Sequence, residues 1–296
     1  MAERRCVLLA ERAVLEVAGE ERRAFLQGLI SNDVEKVAGD RAIYAALLTA
    51  QGKYLHDFFV AALGDAFYID AEAARLADLK RRLTLYRLRA KVTIAESERF
   101  IVAAAFGEDA PAALGLAPEA GAAAPFAGGI AYVDPRLPQL GLRLLLPREA
   151  GLAPLERAGF AAADLESYDR LRLALGVPDG SRDLAIDKAI LLEAGFEELN
   201  GVDWQKGCYI GQELTARTKY RALIKKRLMP VAIEGPLPPP GTPVMLGDAE
   251  AGEMRSGRDG LGLALLRLVA VAEAAGAPLT AGQAKLRPQK PDWAKF

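Results

Sequence analysis

Histidine and cysteine are nearly absent from this sequence of 296 residues, in which His56 is the single histidine and Cys6 and Cys208 are the two cysteines. These side chains are too few for a Cys₂His₂ or Cys₄ zinc site, and two thiols cannot supply the four ligands of an iron-sulfur cluster. We therefore expect no tightly bound metal. No secretory leader precedes the two widely separated cysteines, so reduced thiols and a cytoplasmic, prokaryotic location are expected.

Net charge and long apolar runs are also lacking. The 38 Lys and Arg residues nearly cancel the 39 Asp and Glu residues, which leaves a net charge of −1. Such a balance argues against a dedicated surface for nucleic acid or for an anionic membrane, although it leaves room for a local basic patch. No apolar run approaches the roughly 20 residues of a membrane span, and no heptad repeat is present. We expect a monomer with neither nucleic acid nor membrane as partner.

Strand and helix patterns alternate over the first part of the chain. Apolar residues at helical spacing predict a helix in EERRAFLQGLISNDV. The segments AIYAALLTA and KYLHDFFVAAL read as two strands, joined by a turn at Gln51 and Gly52. In AEAARLADLKRRLTLYRL, the residues Leu76, Leu79, Leu83 and Tyr86 fall on one face of a predicted helix.

Shifts in composition predict three domains. Residues 97–163 are rich in Ala, Gly and Pro with short apolar runs, which favours a smaller α+β unit. In residues 221–296, around the proline-rich GPLPPPGTP, the segments KKRLMPVAIEG, PVMLG and GLGLALLRLVAV are predicted to be strands of a small antiparallel barrel, and AGEMRSG is interpreted as a turn-bearing connection.

The string GVDWQKGCYIGQELTAR places Cys208 between two glycines. Gly207 and Gly211 permit a positive φ or a close approach of another group on both sides of the thiol. Lys206, Arg217 and the positive end of a helix opening at Gly211 would favour the thiolate. The pattern therefore predicts that Cys208 is a functional thiol. Lys206 and Arg217 would stabilise its thiolate, and Gly207 and Gly211 would set the conformation of its loop.

A structural interpretation stands beside the functional one. Most free cysteines are buried small hydrophobes, and Cys208 is open to that interpretation, as Tyr209 is open to packing as a core residue. Cys6 lies in a strand-like run and is expected in the core. His56 lies on an apolar strand and is expected to be a hydrogen-bonded structural histidine.

The string KGCYIGQELTAR, with GVDW before it and KKRL after it, resembles the signature of the YgfZ family of folate-binding proteins and of the mitochondrial iron-sulfur assembly factors related to them. FLQGLISNDV, LLTAQGKYLHDFFV, LYRLRAKV and YDRLRLALGVP extend this resemblance over most of residues 14–230. These proteins are similar in fold to the aminomethyltransferase (T protein) of glycine cleavage.

The resemblance implies an α+β fold, a three-domain T-protein-like cloverleaf with ferredoxin-like α+β units and a small C-terminal antiparallel β-barrel. Residues 1–96 plus 164–220 are expected to form one discontinuous domain, an arrangement that the family resemblance implies. It implies tetrahydrofolate or another folate as cofactor, and iron-sulfur client or assembly proteins as partners in the assembly or repair of [4Fe-4S] proteins. The folate contacts that it suggests are Asn32, Asp57, Arg89, Tyr209, Gln212 and Glu213. Local alternatives are a capping role for Asn32, solvated charge for Asp57 and Arg89, and helix N-terminal positions for Gln212 and Glu213.

Departures from the T-protein pattern argue against a classical enzyme. His56 and Asp57 stand where an acidic pair is expected, Ala174 replaces the Glu of an LRLEAG-like segment, and Cys208 occupies a third acidic position. An aminomethyl intermediate is cationic and needs carboxylates to position it. Aminomethyl transfer and a non-catalytic scaffold are the alternatives. Whether the thiol joins a transient shared cluster or exchanges disulfides is left open.

Overall fold

The computed structural model describes residues 3–221 and 224–295, which contain seventeen strands and eight α-helices. The strands are β1 (Arg5–Leu8), β2 (Arg12–Ala18), β3 (Ile43–Leu48), β4 (Tyr54–Leu63), β5 (Ala66–Glu72), β6 (Thr93–Glu96), β7 (Phe100–Phe106), β8 (Ala123–Phe126), β9 (Gly129–Val133), β10 (Leu142–Pro147), β11 (Ala161–Ala162), β12 (Lys226–Glu234), β13 (Pro243–Leu246), β14 (Ala249–Arg258), β15 (Leu261–Arg267), β16 (Leu279–Ala281) and β17 (Ala284–Pro288).

The helices are mostly short and connect these strands. They are α1 (Arg22–Gln27), α2 (Leu76–Arg87), α3 (Ala110–Ala113), α4 (Ala153–Arg157), α5 (Leu165–Ala174), α6 (Gly180–Asp183), α7 (Gln212–Tyr220) and α8 (Leu268–Ala274). Single 3₁₀ turns occur at Val34–Lys36, Ala73–Arg75, Pro138–Leu140, Arg148–Ala150 and Leu191–Ala194. Within the described ranges, no helix combines the length and apolarity needed to cross a membrane.

The chain forms two compact units, each assembled from discontinuous segments. The first unit consists of Met1–Leu48, His56–Tyr168 and Leu199–Ile210. The second consists of Thr49–Leu55, Asp169–Glu198 and Gly211–Phe296. The three domain boundaries expected from the sequence stay a prediction.

The first unit contains two sheets. One has the strand order β3-β4-β5-β2-β6, and the other has the order β11-β1-β7-β10-β9-β8. Strand β1 pairs with β11 in parallel and with β7 antiparallel. Helices α1 and α2 bury apolar side chains in the core of the first sheet, including Leu26, Leu79 and Leu83. The predicted face of α2 is confirmed except at Tyr86, which is exposed because the helix ends one residue later.

A buried ion pair joins the two sheets of the first unit. Asp70 on β5 accepts hydrogen bonds from Arg12 on β2 at 2.6 Å and from Arg143 on β10 at 2.5 Å. Burial alone would raise the pKa of Asp70, but the two guanidinium groups together lower it. Removing Asp70 would deprive two buried guanidinium groups of their shared carboxylate, so this triad ties the sheets in one arrangement.

The second unit contains a closed antiparallel barrel with the strand order β12-β15-β14-β13-β16-β17 and a return to β12. The predicted C-terminal β-barrel is confirmed. Two local expectations are wrong. AGEMRSG is part of strand β14, where Gly252 leaves room for the carbonyl of Leu265. The residues LVAV, expected to continue a strand, begin helix α8, which buries Ala270 and Ala274 in the barrel core.

Gly52 lies at the turn between β3 and β4 and requires glycine for two reasons. Its φ is +81°, and an added Cβ would lie 2.6 Å from the Gly211 carbonyl oxygen and 2.6 Å from the Leu214 Cβ. Gly64, in the turn after β4, has a φ of +60° with no atom within 4 Å of such a Cβ. Comparing alanine substitutions at these two glycines therefore separates the cost of backbone strain from the cost of steric overlap.

We expect Gly64→Ala to cost roughly 1 kcal/mol in free energy of unfolding, because it adds left-handed strain only. Gly52→Ala should cost roughly 1–3 kcal/mol more, because the overlap is added to the strain. Denaturant titration of both variants measures the difference. Equal losses would contradict the close approach at Gly52.

Candidate functional site

The loop of residues 201–210, here called the cysteine loop, belongs to the first unit and is anchored at Asp203. The carboxylate Oδ1 of Asp203 accepts hydrogen bonds from the backbone N–H groups of Gln205 at 2.7 Å and Lys206 at 3.1 Å. Its other oxygen pairs with Lys36, and its backbone N–H donates to the Ser31 carbonyl at 3.1 Å. Burial would raise the pKa of Asp203, yet Lys36 and the two N–H groups lower it.

Lys206 binds three backbone carbonyls that follow one another around the end of α1. Its Nζ donates to the carbonyl oxygens of Gln27 at 2.8 Å, Ile30 at 2.5 Å and Asn32 at 2.9 Å. A lysine ammonium has three N–H donors, so this arrangement uses all of them. Nζ also lies 5.0 Å from the centre of the Tyr209 ring. The ammonium thus joins the cysteine loop to the segment between α1 and β3.

The electrostatics of Lys206 reflect its enclosure. Burial lowers its pKa to about 8, and the nearby carboxylates of Asp33 and Asp203 oppose that shift. The three carbonyl contacts favour the ammonium form. Lys206 is therefore a desolvated cation held by backbone dipoles.

Two polar side chains after α1 hold the start of the loop. Ser31 Oγ donates to the Gly201 carbonyl at 2.6 Å and accepts from the Ala46 N–H at 2.8 Å. Asn32 Nδ2 donates to the carbonyls of Tyr44 and Asn200, each at 2.7 Å. Both amide hydrogens of Asn32 are thereby used, so its role is to clamp the chain. At the other end, the Ile210 N–H donates to the Gly28 carbonyl at 3.2 Å.

Cys208 is exposed at this anchored loop, whereas Cys6 is buried. Across residues 3–221 and 224–295, no hydrogen bond or ion pair reaches the Cys208 thiol. The interpretation of Cys208 as a buried hydrophobe is wrong, because the neighbouring Tyr209 fills the buried position instead. Cys6 lies in the core as expected, and burial raises the pKa of its thiol, with Glu156 adding to the effect.

Several expected supports of the thiol have other partners. Lys206 donates to carbonyls and not to Cys208, which corrects the expectation that it pairs with the thiolate. Arg217, in the second unit, pairs with Glu213 at 2.5 Å across one turn of α7. Gly211 has a φ of +80° directly before α7, but Gly207 has neither a positive φ nor an atom within 4 Å of an added Cβ. The geometric need for glycine therefore applies at Gly211 alone.

A polar cavity of about 340 Å³ lies in the first unit beside the anchors of the cysteine loop. Lys36 and Arg41 supply cationic groups and Asp203 a carboxylate. The full lining is Asn32, Lys36, Arg41, Ala42, Ile43, Tyr44, Ala120, Pro135, Asn200, Val202 and Asp203. A cavity of this size lies in the range of small-molecule sites, and Lys36 at its wall is already paired with Asp203.

The expected folate contacts are only partly gathered at this cavity. Asn32 lines its wall. Asp57 does not line it but is buried and accepts a hydrogen bond from the Tyr44 hydroxyl at 2.8 Å, so its interpretation as solvated charge is wrong. Burial and the Asp57 carboxylate raise the pKa of Tyr44. Arg89 lies on the exposed turn after α2, and Tyr209 packs beneath Lys206.

The remaining expected contacts, Gln212 and Glu213, lie in the first turn of α7 in the second unit. The described residues contain no cluster of three or more His, Cys, Asp or Glu side chains arranged to hold a metal ion. His56 is buried and bonds through Nε2 to Asp78 at 2.9 Å, which confirms a structural histidine. Burial and Arg75 lower its pKa to about 4, so its ring is neutral near pH 7.

Sequence comparison finds relatives along most of the chain. The chain is 38% identical over 282 residues to the human mitochondrial iron-sulfur cluster assembly factor IBA57, a match that covers 88% of this chain and 77% of the human protein. The chain belongs to the IBA57 family. The mouse protein is 35% identical with the same coverage, and the Neurospora crassa homologue is 30% identical over 78% of this chain and 54% of its own length.

Two further comparisons concern the fold of this IBA57 family member. The family model "CAF17, C-terminal beta-barrel domain" matches residues 225–296. The crystal structure of the glycine cleavage system aminomethyltransferase T from Bartonella henselae is similar with a TM-score of 0.80, at 16% identity, over 99% of this chain and 87% of that chain. The expected T-protein-like α+β fold with a C-terminal barrel is confirmed.

The relatives also narrow one expectation and correct another. They carry the name IBA57, whereas the YgfZ family, on which the sequence resemblance was based, is the bacterial relative. They are mitochondrial proteins of eukaryotes, which contradicts the expected prokaryotic cytoplasmic location.

Sequence reasoning missed the residues that build the site around the thiol. Ser31 and Asp203 anchor the cysteine loop, and Lys36 and Arg41 place positive charge at the cavity wall. The strings SND and GVD contained a signal, because short polar side chains beside apolar runs commonly bond to nearby backbone.

The buried ammonium of Lys206 predicts a pH-dependent contribution to stability. An unfolded lysine titrates near pH 10.4, but Lys206 in the folded protein has a pKa of about 8. Between these values the unfolded chain binds more protons, so this residue's contribution to stability rises with pH in that window. The melting temperature of the wild type minus that of Lys206→Met should therefore increase between about pH 7.5 and about pH 9.5.

Lys225→Met provides the control, because Lys225 is exposed. Hydrogen exchange of the amides in 201–210 should be faster in Lys206→Met at every pH, since three carbonyls lose their donor. A pH-independent gap between wild type and Lys206→Met would contradict the lowered pKa.

Proposed function

We propose that this protein supports the assembly or repair of [4Fe-4S] proteins through the thiol of Cys208. One observation carries the proposal: an exposed thiol lies on a loop that hydrogen bonds hold at both ends and in the middle. The names of the human and mouse relatives, iron-sulfur cluster assembly factors, support it.

An exposed thiol on an anchored loop suits chemistry with a partner. Access allows another protein's cluster or disulfide to reach the sulfur, and the anchored backbone limits the ordering cost of that encounter. One thiolate does not hold a cluster, so the partner would supply the remaining ligands if the cluster is shared. In thiol–disulfide exchange, the Cys208 thiolate would instead attack one sulfur of a partner disulfide. A mixed disulfide would form while the partner's own S–S bond breaks and its other sulfur leaves as a thiolate. Both routes require the same atom.

Replacing Cys208 with Ser should abolish the activity of a [4Fe-4S] enzyme in cells that lack the wild-type protein, because an alcohol is a poor ligand and a poor nucleophile at neutral pH. Melting temperature should stay unchanged, since the side chain is exposed. Cys6→Ala is the matched control and should retain enzyme support, because Cys6 is a core residue. Full support by Cys208→Ser would reject the role of the thiol.

We infer that the cavity of the first unit binds a folate. Arg41 would pair with a glutamate carboxylate, Lys36 would add positive charge beside its partner Asp203, and the wall formed by Tyr44 and Pro135 would contact the ring system. Bound folate would supply a carrier for one-carbon groups. The chain's own residues position the ligand and keep Asp57 enclosed behind the Tyr44 hydroxyl.

Calorimetric titration with tetrahydrofolate and with glutamate-extended forms tests this inference. Saturable binding should weaken roughly tenfold in Arg41→Gln, which removes one charge-assisted contact, and stay unchanged in Arg89→Gln, because Arg89 does not line the cavity. No saturable heat would favour the scaffold alternative. Formation of methylene-tetrahydrofolate from an aminomethyl donor would favour the transferase alternative, which the neutral His56 and the missing carboxylate at Ala174 do not support.

A further inference from the structure

A second cavity, of about 360 Å³, lies entirely in the second unit and has no part in the proposed function. Its wall combines cationic side chains with an apolar floor. The lining is Lys53, Asp183, Leu184, Ala185, Lys188, Ala189, Ile190, Glu193, Ala194, Lys226, Leu228, Glu253, Arg255 and Leu265. The loop before the 3₁₀ turn at Leu191–Ala194 contributes one side, and barrel strands β12, β14 and β15 contribute the other.

Cations dominate the unpaired charge of this cavity. In the described part of the chain, the ammonium groups of Lys53, Lys188 and Lys226 make no hydrogen bond or ion pair. Arg255 donates to Glu253 at 2.8 Å through one terminal nitrogen, but its Nε is buried with no partner. The Arg255–Glu253 pair is neutral, so the three lysines supply the unpaired positive charge.

The acidic residues do not neutralise these cations. Asp183 is already committed to Arg172 and to the backbone N–H groups of Asp179 and Ser256. Glu193 is half-buried and has no ion-pair partner among the residues that the structure describes. Burial raises its pKa, although Lys226 and Lys53 oppose that shift. Three free ammonium groups therefore face one carboxylate, an excess of two positive charges.

The floor of the cavity is apolar. Leu184, Ile190 and Leu228 contribute it together with Leu265 and three alanines. Purely inorganic ions would leave this surface uncovered, whereas an organic anion covers it and gains hydrophobic contact energy. We propose that this cavity binds a small organic dianion, a phosphate monoester or a dicarboxylate, with its charged end on Lys53, Lys188 and Lys226 and its apolar body on the floor.

Titration of the full chain with four probes at low ionic strength tests the proposal. Phenyl phosphate and phthalate combine an aromatic body with two negative charges, inorganic phosphate lacks the body, and phenol lacks the charge. Calorimetry should show saturable binding of at least one of the first two probes, at least roughly fivefold weaker binding of inorganic phosphate, and none of phenol. The preference between phenyl phosphate and phthalate separates a phosphate ester from a dicarboxylate.

Two variants locate the site. Lys226→Gln should weaken the bound aromatic dianion roughly five- to tenfold, because it removes one of three unpaired cations. Glu193→Gln should tighten it by a similar factor, because it removes the opposing carboxylate. Lys225→Gln is the matched control, since Lys225 precedes Lys226 in the chain but does not line the cavity.

The melting temperatures of the three variants are measured as a control. Values within a few degrees of the wild type show that a change in affinity is not caused by loss of folded protein. No saturable binding of either aromatic dianion would overturn the proposal. Equal weakening by Lys225→Gln and Lys226→Gln would also overturn it, because that result indicates diffuse attraction to a basic surface. Binding that Glu193→Gln fails to tighten places the ligand elsewhere and rejects this site.

Discussion

The contact on which the cysteine loop depends is one ammonium group shared by three carbonyls. The Nζ of Lys206 binds the carbonyl oxygens of Gln27, Ile30 and Asn32, none of which is near it in sequence. Charge-assisted bonds of this kind are stronger than those between neutral groups. The cost is the partial desolvation of the cation, visible in its lowered pKa. The backbone on either side of Cys208 is consequently held through the Lys206 side chain.

The same short segments build the loop and the polar cavity of the first unit. Asp203 accepts two backbone N–H groups of the loop and also lines the cavity, where it pairs with Lys36. Asn32 clamps Asn200 at the start of the loop and forms part of the cavity wall. The cysteine loop and the cavity therefore share anchoring residues within one compact unit. A substitution at one of these residues would alter both the loop and the cavity wall.

Elements with strong local patterns could be predicted from the sequence. The buried face of α2 and the C-terminal barrel follow from apolar spacing, and the overall fold follows from the family resemblance. Strand β14 was missed because AGEMRSG is rich in small residues, whose role becomes clear only where Gly252 meets the Leu265 carbonyl.

The site was harder to predict because its contacts cross long stretches of chain. Lys206 lies two residues from Cys208, and sequence proximity suggested a partnership with the thiol. Its three acceptors lie more than 170 positions away, at 179, 176 and 174 residues, so no local pattern could reveal them. Asp57 was interpreted as solvated for the same reason, since its partner Tyr44 is brought to it by the pairing of β3 and β4.

The distribution of the two cysteines has a practical consequence. Because Cys6 is enclosed in an apolar core and Cys208 is open, a thiol-directed spin label or fluorophore would attach to the native chain at one position without engineered mutations. The reporter would sit on the loop that Lys206 holds. Spectroscopy could then follow the motion of that loop, and the approach of other macromolecules to it, in the unaltered amino-acid sequence.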